Sequence, residues 1–324
     1  MDADRVVMTI EQINVLTARA RALPPSGDQT NVLVSDGEDP WVVSHDDRLY
    51  YCTVDRAKRK VLVATFDDIT GMADATPVPV WPSPRSHVPP YEEIWSPELH
   101  RLDARWYIYL SLYDGNHGHE RIHVLEGASD DPQGEYVYGA RLEAATDRWS
   151  IDGSVLQLPD GRRFLVWSGW DGHENSSQNI YIASMASPSA LGSDRVCISR
   201  PEYDWERRGY PWVNEGPQPL VHDGRVFVVF SASGSWTDDY CLGLLTLAGE
   251  DPLDPESWVK RAQPVFSRTE TITGPGHACF LHDAGGDWLI YHAARSTGAG
   301  WARQVRAKRF SWRADGSPEF GRPE

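Results

Sequence analysis

Apolar and polar residues alternate along most of the chain in short runs broken by Asp, Gly and Pro, the pattern of half-buried β-strands. One unit recurs five times: a short apolar stretch, a polar turn, then a strongly aromatic run. Its copies are DPWVVSHDDRLYYCTV from Asp39, SPELHRLDARWYIYLSL from Ser96, DGSVLQLPDGRRFLVWSG from Asp152, EGPQPLVHDGRVFVVFSA from Glu215 and HACFLHDAGGDWLIYHA from His277. With Asp46, Asp103, Asp160, Asp223 and Gly285 as turn references, the period is 57 to 63 residues. Each copy predicts a β-hairpin, and later runs such as KVLVATF, RIHVLEGAS, NIYIASMAS, CLGLLTLAG and VRAKRFSW predict further strands. Two hairpins per repeat make a four-stranded antiparallel sheet, and radial repetition makes a propeller. The expected fold is therefore all-β, a five-bladed β-propeller over residues 31–324 with its blades around a central axis. Residues 1–30 form an N-terminal extension, in which Ile10, Ile13, Leu16, Ala20 and Leu23 predict one face of a helix over about residues 9–22.

The repeat also predicts where chemistry sits. The first strand of each blade lies nearest the axis, so the residues opening those strands converge at one mouth of the channel. They are Asp39, the Ser96-Pro97-Glu98 step, Asp152, Glu215 and His277, each seven or eight residues ahead of its turn. Crowded carboxylates repel, raise at least one pKa and mark functional sites. A pair of them, one protonated and one ionised, can serve as general acid and general base, as glycoside hydrolysis requires. Trp95 and Trp170 flank these openings and are candidates for stacking on a sugar ring.

Composition narrows the partners. Lys+Arg 31 against Asp+Glu 47 gives a net charge of −16, which disfavours nucleic acid and anionic membrane. Fourteen Trp and 13 Tyr suit flat, half-polar ligands such as sugars as well as β-sheet cores. The four cysteines, at 52, 197, 241 and 279, contain no CxxC pair and read as separate thiols. His117, His119 and His123 in NHGHERIH fall in a loop-to-strand segment rather than on the helix that an i, i+4 zinc site needs, and read as a solvated or substrate-rim loop. No GxSxG, P-loop or GxGxxG motif occurs. The N-terminus carries Asp2 and Asp4 and no uninterrupted apolar run, so a cytoplasmic location is expected, or a secreted one if the sequence has been trimmed.

The strings GEDPWVV (37–43), IWSPELH (94–100), WSIDGSVL (149–156), VNEGPQPL (213–220) and GPGHACF (274–280) resemble the blade-opening motifs of glycoside hydrolase family 43. The resemblance spans roughly residues 31–312 and implies an inverting glycosidase acting on arabinosides or xylosides. It assigns Asp39 as general base, Asp152 as the residue that orients and tunes the acid, and Glu215 as general acid. It places His277 beneath the site, facing a calcium or sodium ion directly or through water, and Arg306 against the substrate, with Arg303 as the competing arginine. No organic cofactor is implied. Segments 168–183, 201–209 and 231–245 look like the branch of exo-acting α-L-arabinofuranosidases, so release of L-arabinose from the non-reducing ends of arabinan or arabino-oligosaccharides is expected. A β-D-xylosidase on the same frame and a non-catalytic carbohydrate-binding propeller are the alternatives.

Overall fold

In the computed structural model, which describes residues 8–25 and 29–324, the hairpin turns adopt the conformation their residues favour. His45 pairs with Arg48 across Asp46 and Asp47, both at positive φ (49° and 58°). His222 pairs with Arg225 across Asp223 and Gly224 (47° and 74°) in the same way. Two consecutive left-handed residues match the right-handed twist of the flanking strands, and Asp and Gly reach that conformation at low cost.

Helix α1 (Ile10–Ala22) precedes the strands. Strand β1 is Val32–Val34; β2 (Trp41–His45), β3 (Arg48–Asp55), β4 (Lys60–Phe66) and β5 (Val78–Trp81) follow. Next come β6 (Glu93–Leu102), β7 (Arg105–Tyr113), β8 (Arg121–Gly127) and β9 (Tyr136–Arg141). The third repeat gives β10 (Ser150–Gln157), β11 (Arg163–Trp170), β12 (Ser177–Ser187), β13 (Ala190–Leu191) and β14 (Val196–Ser199). The fourth gives β15 (Trp212–His222), β16 (Arg225–Ala232), β17 (Cys241–Leu247) and β18 (Trp258–Lys260). The fifth gives β19 (Gly276–Asp283), β20 (Gly286–Ala294), β21 (Arg303–Trp312) and β22 (Pro318–Glu319).

Strands β2–β5 and β6–β9 form separate four-stranded antiparallel sheets. Strands β10–β18 share one nine-stranded sheet, two antiparallel halves joined where Ser177 and Gln178 pair in parallel with Trp212 and Val213. The last sheet runs β19-β20-β21 and then takes β1 from the other end of the chain, Val32 pairing with Arg306. Sequence reading assigned the late strands of this sheet to residues near 305 and did not foresee β1.

Apolar residues of each strand group pack against the next group. Val63 and Leu99 share one cluster, Tyr109 and Leu165 a second, Val166 and Val228 a third, Phe227 and Tyr291 a fourth, and Ala64 and Ile290 a fifth. Burying a side chain such as Leu99 or Val228 stabilises the fold by about 1.5–3 kcal/mol. Cys52, Cys241 and Cys279 are buried and Cys197 half-buried, all as free thiols.

Helix α1 begins at a capping box: the Gln12 N–H donates to Thr9 Oγ1 (3.2 Å) and the Thr9 N–H to Gln12 Oε1 (2.9 Å). Its expected apolar face is only partly used, because Ile13 is buried while Ile10 and Leu23 are 50% and 63% exposed. The seam runs instead through Ile13 and Thr17, where the Trp301 N–H donates to Thr17 Oγ1 at 2.9 Å. A polar contact fixes the helix there, which an apolar periodicity does not reveal.

Candidate active site

Four inner strands carry a β-bulge near their start, marked by register shifts at Trp95/Glu98, Ile151/Ser154, Glu215/Gln218 and Gly276/Cys279. One residue in each bulge is left-handed: Ser96 (φ 47°), Asp152 (56°), Gly216 (52°) and His277 (43°). Asp39, just before β2, has the same conformation (45°). A bulge bends its strand and re-aims a side chain, and left-handed backbone at non-glycine residues is strain that clusters at functional sites. Glu215 stands one residue ahead of this register, a correction to the sequence alignment of the repeats. Glycine suits the aligned position, since a Cβ at 216 would crowd His277 Nδ1 at 3.0 Å.

Side chains from the preceding repeat accept the N–H groups that these bulges free. Asp39 N–H donates to His292 Nδ1 (3.1 Å), Asp152 N–H to Ser111 Oγ (3.2 Å) and His277 N–H to Ser231 Oγ (2.8 Å). Gly216 N–H donates to Asp152 Oδ2 at 2.9 Å. The structure thus brings Asp39, Asp152, Glu215 and His277 into one buried site. Ser111, Ser231 and His292 were missed in the sequence, although each is the polar residue ending an aromatic run: YIYLS, FVVFS and LIYH.

The three carboxylates have unlike acidities. Burial alone would raise Asp39, but the neighbouring His277 and Arg303 charges outweigh it and hold Asp39 far below the usual carboxylate range. Its Oδ1 lies 3.1 Å from His277 Nδ1 and 3.5 Å from an Arg303 guanidinium nitrogen, and its Oδ2 accepts from Ser96 Oγ at 3.1 Å. Burial and the neighbouring Asp152 charge push Glu215 up to about 7, against the pull of Arg303 and Tyr240. Asp152 is itself raised, chiefly by burial. Burial opposes a charge on His277, yet Asp39, Asp152 and Glu215 together raise its pKa. Burial and Arg303 push His292 down to about 3, which keeps its Nδ1 free to accept from Asp39. Glu98 turns aside, accepting from Gln218 Nε2 and lying 2.9 Å from His100 Nε2.

The remaining candidates divide. Trp95 lines a cavity of about 330 Å³ together with Arg21, Asp36, Glu38, Asp39 and Arg56. Its ring stacks on Tyr113 (5.7 Å), which stacks on His117 (4.6 Å), so the His-rich loop backs the rim. Trp170 is 7% exposed and one face lies on Trp149 at 4.9 Å, which places it in the packing. Arg306 is a correction: it is 1% exposed and donates to Thr30 O and Glu324 O, holding chain segments near β1. Arg303 reaches the site instead, three residues earlier on β21 and therefore on the other face of the strand. It also donates to Ser235 O at 3.0 Å. His277 Nδ1 lies 3.1 Å from Asp39 Oδ1, and among the described residues no group of three or more His, Cys, Asp or Glu side chains is placed to hold a metal ion.

Holding one carboxylate ionised and another protonated within a single buried site is what general acid and general base work demands, and it puts this chain among acid–base enzymes. The chain belongs to the glycosyl hydrolases family 43, whose sequence pattern matches residues 29–318. It is 33% identical over 313 residues to "Alpha-L-arabinofuranosidase 43" of Humicola insolens, covering 92% of this chain and 64% of that protein. It is 34% identical over 285 residues to the "Extracellular exo-alpha-(1->5)-L-arabinofuranosidase" of Streptomyces chartreusis, covering 85% of each. The crystal structure of the alpha-L-arabinofuranosidase from Lactobacillus brevis superposes with a TM-score of 0.81 at 30% identity, covering 94% of this chain and 98% of that one. The chain thus spans under two thirds of the Humicola relative's length and nearly all of the Lactobacillus structure. The expected cytoplasmic location finds no support in these relatives, since the Streptomyces protein is named extracellular. Among the described residues no helix is long and apolar enough to cross a membrane.

Proposed function

We propose that the protein is an inverting, exo-acting α-L-arabinofuranosidase folded as a five-bladed β-propeller. The carrying observation is the split in acidity between Asp39, held ionised, and Glu215, whose pKa of about 7 keeps it largely protonated in mildly acidic solution. Asp39 takes a proton from water as that water attacks C1 of the terminal arabinose, and Glu215 gives its proton to the departing glycosidic oxygen. Asp152 sustains the Glu215 proton by its charge and, through the Gly216 N–H, ties the backbone beside the acid. No organic cofactor enters this scheme. Five apolar clusters, each shared by consecutive strand groups and the last linking β19–β21 to β2–β4, support five blades closed in a ring. The relatives' names support an arabinoside substrate, and the Streptomyces name favours work outside the cell.

The test is NMR of the first anomer formed from 4-nitrophenyl α-L-arabinofuranoside and from linear α-1,5-arabino-oligosaccharides, with xylosides run beside them. β-Arabinose appearing first, and loss of about 10²–10⁴-fold in kcat for Asp39→Asn, is the expected result. Release of α-arabinose first would overturn inversion, and turnover of xylosides alone would overturn the substrate.

A further inference from the structure

The segment before the first repeat contributes to the wall of a cavity beside Asp39. Arg21, in the last turn of α1, lines the same cavity of about 330 Å³ as Asp39 and Trp95. Its guanidinium lies 3.4 Å from Asp36, and Asp36 lies 3.9 Å from Arg295. Contacts at separate points fix the helix that carries it. Ile13 is 2% exposed and Thr17 is 6% exposed, and Thr17 Oγ1 accepts the Trp301 N–H. At the C-terminal end Arg295 donates to Leu23 O at 3.4 Å. Gly300 lets the helix settle this close, because a Cβ there would stand 2.8 Å from Thr17 Oγ1. The helix is thereby seated on the 299–301 loop, two residues ahead of the site arginine Arg303.

We propose that Arg21 is a specificity-determining residue that binds the hydroxyls of the terminal sugar, and that α1 forms the far wall of the pocket for that sugar. This rests on the arabinofuranosidase reading. Base and acid flank the sugar on opposite faces in an inverting enzyme. Asp39 is in the wall of this cavity and Glu215 is not, so the cavity receives the part of the sugar remote from the leaving oxygen. There it meets charged donors and acceptors, Arg21, Asp36, Glu38 and Arg56, beside the Trp95 ring. Such a set suits vicinal hydroxyls, which donate and accept at once, with an apolar ring face against the indole. A wall built from a helix at this end also leaves a chain terminus as the group that fits.

Arg21→Ala and Arg21→Gln are compared with the wild type on 4-nitrophenyl α-L-arabinofuranoside and on arabinotriose, with inhibition by free L-arabinose measured in parallel. Arg21→Ala raises KM on both substrates and the L-arabinose inhibition constant together by about ten-fold or more, the loss of a charge-assisted hydrogen bond, with kcat within about three-fold. Arg21→Gln, which keeps a donor, recovers part of that loss. Unchanged KM and inhibition constants in both variants, with only a lower melting temperature, would overturn the proposal and leave α1 structural. A wild type that neither hydrolyses arabinosides nor binds arabinose would overturn the enzymatic reading instead, and the two failures are told apart by that control.

Discussion

The hydroxyl of Tyr240 donates to Glu215 Oε1 at 2.8 Å, and the Tyr240 ring in turn stacks on His292, the residue that accepts the Asp39 N–H. One buried tyrosine therefore touches Glu215 directly and Asp39 through a single intermediary. Its donated proton favours the ionised form of Glu215, against the upward push of burial and of Asp152.

Replacing Tyr240 by Phe removes that donor. The Glu215 pKa then rises, and the alkaline limb of the kcat/KM profile moves to higher pH. A pH series on 4-nitrophenyl α-L-arabinofuranoside reads the shift, and an unmoved limb would detach Tyr240 from the acid.

Asp152→Asn acts in the opposite direction. Part of what raises Glu215 is the Asp152 charge, so its removal lowers the Glu215 pKa and draws the alkaline limb to lower pH. The asparagine amide oxygen can still accept the Gly216 N–H, so the acid keeps its placement and kcat falls through the lost charge that sustains the Glu215 proton. Movement of the limb to higher pH would contradict the assigned electrostatics.

The wild-type profile itself follows from two shifts. Glu215 must hold its proton, so activity declines as pH rises through about 7, approaching ten-fold per unit. Asp39 must be ionised, and because its pKa is depressed, the acid limb lies below the usual carboxylate range. Stopped assays across pH 3–9, corrected for unfolding, check both limbs.

Gly216→Ala places a methyl group 3.0 Å from His277 Nδ1 at a residue with φ 52°. Left-handed backbone costs an alanine about 1–2 kcal/mol, and the methyl displaces the imidazole that pairs with Asp39. Both stability and kcat drop, measurable by thermal melting and by turnover of the aryl arabinoside.

Away from the cavity, Glu206 is fully buried and accepts from Lys260 Nζ (3.0 Å), Asn214 Nδ2 (3.1 Å) and the N–H groups of Glu202 and Tyr203. Glu206→Gln leaves the Lys260 charge with only the more distant Glu202 carboxylate, at 3.9 Å, and costs about 3 kcal/mol, seen as a lower denaturant midpoint. Because Asn214 adjoins Glu215, kcat falls with it.

The repeated hairpins were legible because each carries its own turn chemistry, and KVLVATF from Lys60 matches β4 residue for residue. Asp39, Asp152 and Glu215 were legible because the repeat places them near one register. What escaped was whatever depends on a partner distant in sequence. Strand β1 is three residues long and gains its place only from β21. The exchange of Arg306 for Arg303 turned on strand parity, which a boundary error of one residue reverses. Thr17 is polar, so hydrophobic periodicity is blind to its contact with Trp301.

The pairing of β1 with β21 also sets an order of assembly. Val34, five residues before Asp39, pairs with Val305, some 270 residues away along the chain. During synthesis, the stretch carrying Asp39 emerges early, yet its anchoring strand, its His292 acceptor and its Arg303 neighbour all emerge last. A nascent chain stalled before β20 holds Asp152 and Glu215 with Asp39 unseated, so the full set of carboxylates comes together late and all at once, when β21 takes up β1.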